Sequence, residues 1–104
     1  MNIPSRFLLA GKEITVRLRR AVGRGLLGRM WLDVGVMEIA THHKGKLRPL
    51  RGPYGLPQTF WHESVHAILY AMGNPLYKDE AFVNAFATLL TQAIETAEFN
   101  DGPA

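Results

Sequence analysis

Alternation governs the first part of the chain. In Glu13-Ile14-Thr15-Val16-Arg17-Leu18-Arg19, polar and apolar side chains take turns, which places Ile14, Val16 and Leu18 on one side of a strand. A short strand at 7–10 precedes it, turned into it at Gly11-Lys12. Residues 29–33 and 36–42 read as two further strands, joined through Asp33-Val34-Gly35. Gly23, Gly25 and Gly28 punctuate the loop before them. The pattern predicts an antiparallel meander of three or four strands over about 6–42. A loop rich in glycine, proline and basic residues follows over about 44–56.

Beyond Pro57 the period changes from two to 3.6. Trp61, Val65, Ile68 and Met72 recur at i, i+4, i+7 and i+11, one apolar stripe on a helix over 57–72. Pro57 suits the first helical position and Gly73 the residue just past the end. Ala67 and Ala71 form a small-residue side where another helix could pack. A second helix is expected over 78–98, with Phe82, Phe86, Leu90, Ala93 and Ala97 as its core stripe and Asp79 and Glu80 at the positive end of its dipole. Strands first and helices second make an α+β fold.

Length and composition narrow the class. The 104 residues allow one domain, and a hydrophobic fraction of 47% is ordinary for a globular protein. No apolar run reaches the length of a membrane span, and the 7–10 run is too short for a signal-peptide core, so the expected location is the cytoplasm. Zero cysteines exclude disulfides and thiolate metal sites, so a transition metal must be held by nitrogen and oxygen. Charge is uneven. Residues 1–51 hold eleven Lys/Arg against three acids, a net of +8, whereas residues 52–104 hold one Lys against six acids, a net of −5. A basic half attracts nucleic acid or an acidic partner. No RNP or C2H2 pattern accompanies it, so a solvated basic sheet face is the favoured reading.

The chemistry concentrates in Thr59-Phe60-Trp61-His62-Glu63-Ser64-Val65-His66. Two imidazoles four residues apart on a helix lie one turn apart on one face and can share a metal ion, with Glu63 placed to take a proton from water there. Zinc, as a single ion, fits such a site, which needs a third protein ligand. Glu80, fourteen residues after His66 at the start of the second helix, is the first choice. Asp79, His42 and His43 compete for the role. Asn84, one turn beyond Glu80, is placed to hydrogen-bond a ligand histidine. Tyr54, Tyr70, Tyr77 and His43 are candidate donors to a tetrahedral oxyanion, and the sequence does not choose among them. The exposed edge of the strand at 36–42 is a site where an extended peptide could pair and be held across the metal. Phe60 and Trp61 read as core, and the tyrosines at 70 and 77 as surface packing.

With His62-Glu63-x-x-His66 and the downstream Glu80-x-x-x-Asn84-x-Phe86-Ala87 run followed by Leu89-Leu90, the chain resembles the gluzincin branch of zinc metallopeptidases. More narrowly it resembles the ImmA/IrrE-type proteins and small phage- and prophage-encoded metallopeptidases. The likeness spans roughly 58–94. It implies a minimal zincin-like domain, zinc ligands His62, His66 and Glu80, general base Glu63, and a peptide or protein substrate, regulatory in the ImmA type. Ser64-Val65 stands where Leu-Gly is more usual, and the second helix lacks the common terminal proline. The competing reading is a metal-binding regulatory or interaction module without general peptidase activity.

Overall fold

The computed structural model describes residues 3–23, 26–42 and 55–103. Four strands precede two helices: β1 (Arg6–Leu9), β2 (Lys12–Arg19), β3 (Gly28–Trp31), β4 (Val36–Ala40), α1 (Gly55–Ala71) and α2 (Glu80–Thr96). A 3-10 turn at Pro75–Lys78 links the helices. The α+β class follows as expected, but the sheet is mixed. Its order is β1-β2-β4-β3, and β2 pairs with β4 in parallel. Each hairpin is local and antiparallel, β1 with β2 and β3 with β4. The chain after β2 crosses the end of β4 before entering β3, so the second hairpin docks through its later strand. Alternation fixes which side a residue faces, not which neighbour its strand takes.

Local chemistry explains the turns. Ala10 and Gly11 both have positive φ, 52° and 78°, giving the two-residue turn that matches strand twist. In the second hairpin Gly35 has φ 68°, and a Cβ there would stand 2.5 Å from the Glu13 carbonyl oxygen. No other residue tolerates both demands.

One side of the sheet carries Ile14, Val16, Met37 and Ile39, which close on Phe60 of α1, with Met30, Phe7 and Leu9 at the margin. A second cluster joins the helices through Val65, Leu69, Val83 and Ala87. α1 therefore serves two neighbours, the sheet and α2. This divides its apolar residues differently from the single expected stripe: Val65 is buried, whereas Ile68 and Met72 are exposed. Ala67 is buried, but with Tyr70 and Ala71 it borders a groove against sheet residues Leu9 and Ile14 rather than a helix. On α2 the buried positions are Val83, Ala87 and Thr91, spaced by four. Small side chains let the two helices approach closely. The bulky Phe86 of the expected stripe stands half exposed, Ala93 is exposed, and Ala97 lies past the helix end.

Candidate metal centre

Two caps in succession set the approach of α2 to α1. At the end of α1, Gly73 N–H donates to the Tyr70 carbonyl and Asn74 N–H to the Leu69 carbonyl. This six-to-one and five-to-two pairing, with Gly73 at φ 69°, is a Schellman stop. The Asn74 side chain accepts from Leu76 N–H to start the 3-10 turn. Asp79 accepts from Phe82 N–H to start α2. Asp79 is thus occupied as the N-cap, and Glu80 becomes the first helical residue.

The result brings together three sequence-distant donors. His62 Nε2 lies 3.2 Å from Glu80 Oε2, and His66 Nε2 lies 2.8 Å from Glu80 Oε1. One ligand atom from each of these residues falls within 4.8 Å of the others. His42 and Asp79 do not join this group. His42 Nδ1 is 2.8 Å from the Thr41 hydroxyl instead. His43 and Tyr54 lie outside the described residues.

His66 carries the most informative contact. Its Nδ1 lies 2.6 Å from the Tyr77 carbonyl oxygen, which accepts only, so Nδ1 bears the proton. In a neutral imidazole Nε2 is then an acceptor, and it faces a carboxylate oxygen, also an acceptor, at 2.8 Å. Two acceptors at that distance need a proton or a metal ion between them, and the three side chains could hold such an ion. Imidazole nitrogen and carboxylate oxygen without thiolate suit zinc. The donor set therefore fits the expected ion, and the Tyr77 carbonyl holds the ring with Nε2 turned to the site.

The three side chains open into a cleft of about 520 Å³ lined by His62, Glu63, His66, Glu80 and Asn84 from the helices and by Leu26, Leu27, Gly28 and Arg29 from the sheet side. Glu63 lies against β3. Burial pushes its carboxyl above the ordinary range; His62 and His66 counter this, and Glu80 adds to it. A raised pKa makes a carboxylate a stronger base.

Other expected residues fall differently. Asn84 lines the cleft, but its side chain bonds neither histidine; the Tyr77 carbonyl takes that role, and any main-chain carbonyl leaves no mark in the sequence. Tyr70 and Tyr77 meet edge to face at 5.2 Å between centroids, and neither lines the cleft. The strand at 36–42 offers no edge. As β4 it is paired on both sides, and the edge beside the site is β3. Gly28, read above only as loop punctuation, opens β3 close against α1: a Cβ there would stand 3.0 Å from Glu63 Cγ and 2.9 Å from Thr59 Cγ2. A glycine just ahead of an apolar strand was the available signal.

No described helix is long and apolar enough to cross a membrane. No protein-family model, curated protein or solved structure matches the chain.

Proposed function

We propose that this chain is a zinc-dependent peptidase of the gluzincin type, with His62, His66 and Glu80 as ligands and Glu63 as general base. One observation supports the reading: three nitrogen and oxygen donors lie close enough together to hold one metal ion, and the part-buried carboxylate of Glu63 shares their cleft. When bound, zinc polarises the scissile carbonyl and acidifies water. Glu63 removes a proton from the attacking water as its oxygen bonds to the carbonyl carbon. It returns that proton to the leaving nitrogen as the carbon–nitrogen bond breaks. The edge of β3, unpaired on that side among the described residues, supplies backbone groups to which an extended peptide pairs, beside Glu63.

The test combines metal content with turnover. Protein purified without chelator should hold one equivalent of zinc, lost in the His62→Ala, His66→Ala double variant. Glu63→Gln should keep zinc and abolish hydrolysis of an unfolded protein such as casein. Unchanged hydrolysis in Glu63→Gln removes Glu63 as the base, and protein without zinc removes the whole reading.

A second reading, a metal-stabilised regulatory or interaction module, draws support from the oxyanion side. Neither Tyr70 nor Tyr77 lines the cleft. Zinc that raises the unfolding temperature, with no turnover of any peptide in a library, favours that reading.

A further inference from the structure

The side of the sheet away from the helices is a cationic surface, of which Arg29 also borders the metal cleft. Strand register places Arg6, Thr15, Val36 and Trp31 in one row across it, and Arg17, Glu38 and Arg29 in the next, with Arg19 beyond. The helix residues of the core meet the opposite side, and no described helix packs here. Glu38 is almost wholly buried beneath the guanidiniums of Arg19 and Arg29, which it binds; their side chains remain 51% and 43% exposed. The carboxylate is hidden while its partners are presented. Arg17 sits opposite Glu38 in the register yet forms no ion pair among the described residues. Arg6 pairs only loosely with Glu13, at 3.7 Å. The face therefore offers guanidiniums to solvent with little visible negative charge.

Trp31 selects among polyanions. The Arg29 guanidinium lies 4.6 Å over its ring centroid, so one ring face is held by a cation while the residue stays 38% exposed. A half-exposed indole among arginines is a stacking platform for an unpaired base. An acidic peptide has no use for that ring, and a bilayer would demand a broader apolar rim than Leu8 and Val36 provide. A duplex keeps its base faces stacked inside, so it gives that ring no base to stack on. We propose that this face binds single-stranded nucleic acid, with Arg6, Arg17 and Arg19 on phosphates and Trp31 stacked on a base. Neither Arg17 nor Trp31 lines the metal cleft, so this proposal stands or falls separately from the peptidase reading.

The experiment is fluorescence anisotropy of the full chain with labelled oligothymidine of about twenty nucleotides, long enough for one such site. Saturable binding that weakens with salt is expected. Arg17→Gln should lower the slope of log affinity against log salt by about 0.7, the share of one phosphate on a single strand. Trp31→Ala should lose about tenfold in affinity, and Trp31→Phe should keep most of it. Circular dichroism on each variant confirms folding. No binding at low salt overturns the proposal. So does equal binding to polyglutamate or to phosphatidylserine vesicles, or unchanged affinity in both Arg17→Gln and Trp31→Ala.

Discussion

Gly28→Ala is the most direct probe of how the sheet sets the candidate base. The added methyl would stand 2.9 Å from Thr59 Cγ2, 3.0 Å from Glu63 Cγ and 3.3 Å from Glu63 Oε1. Carbon–carbon contacts are favourable at 3.5–4.0 Å, so two pairs must each open by about half an ångström or more. Thr59 is buried in α1, and Gly28 is fixed by pairing opposite Ile39. Neither backbone yields easily, so Glu63 or the β3–α1 spacing gives way. Overpacking of this kind costs about 1–3 kcal/mol. In a domain of this size that is a fall of roughly 4–8 °C in Tm for each kcal/mol. Thermal unfolding measures the cost, and hydrolysis assayed well below Tm measures the displaced carboxylate. Gly11→Ala is the control: its Cβ meets nothing within 4 Å, but its φ of 78° is strained for alanine. It should cost stability and leave turnover intact. If Gly28→Ala changes neither Tm nor turnover, the close approach of β3 to Glu63 is not a constraint.

Four further outcomes follow from the same geometry. The carboxyl of Glu38 is pushed up by burial but pulled down more by Arg19 and Arg29, so its folded pKa lies below the ordinary value of 4.5. The folded state then holds this proton less tightly than the unfolded chain, and the stabilisation is full above that value and lost as pH falls through the folded pKa. Glu38→Gln should cost about 2 kcal/mol at neutral pH, less than a fully buried pair because the guanidiniums are half exposed, and urea midpoints of the two proteins should converge in acid. Asp79→Ala should remove about 1 kcal/mol of stability through the lost N-cap and weaken zinc affinity through a frayed Glu80, read by competition with a chelating dye. Gly35→Ala should be among the most damaging glycine changes, exceeding about 2 kcal/mol by chemical denaturation, because positive φ and the 2.5 Å approach to Glu13 backbone add. Ala10→Asn should stabilise by about 0.5–1 kcal/mol in the same assay, since Ala10 holds a left-handed conformation that asparagine tolerates.

Much of this was legible in the sequence where a single residue answers to a single physical demand. Alternation located β2 because one side of the sheet is buried, and glycine-bearing turns bounded the other three strands. Gly73 marked the end of α1 because a left-handed residue was needed there. That His62 and His66 share a face of α1 was readable because a helix is periodic, and the approach of Glu80 was readable from the short turn that pairs the two helices. The missed features involve pairs of surfaces. The α1 stripe was misassigned because that helix has two neighbours, and large apolar residues such as Ile68 and Met72 outweigh Ala67 and Ser64 in any periodicity, although the small residues are the buried ones. On α2, Val83 and Ala87 were hidden behind Phe82 and Phe86 for the same reason. The parallel seam between β2 and β4 and the carbonyl that orients His66 have no side-chain code.

That seam has a consequence for assembly order. Thr15 pairs with Val36 and Arg19 with Ala40, so the middle of the sheet joins segments twenty-one residues apart, while each hairpin closes locally. A nascent chain can zip its first hairpin early, yet β2 keeps a raw flank until β4 has been synthesised. On this topology the sheet is complete only when the two hairpins meet, and until then the open side of β2 is a border at which another chain could pair.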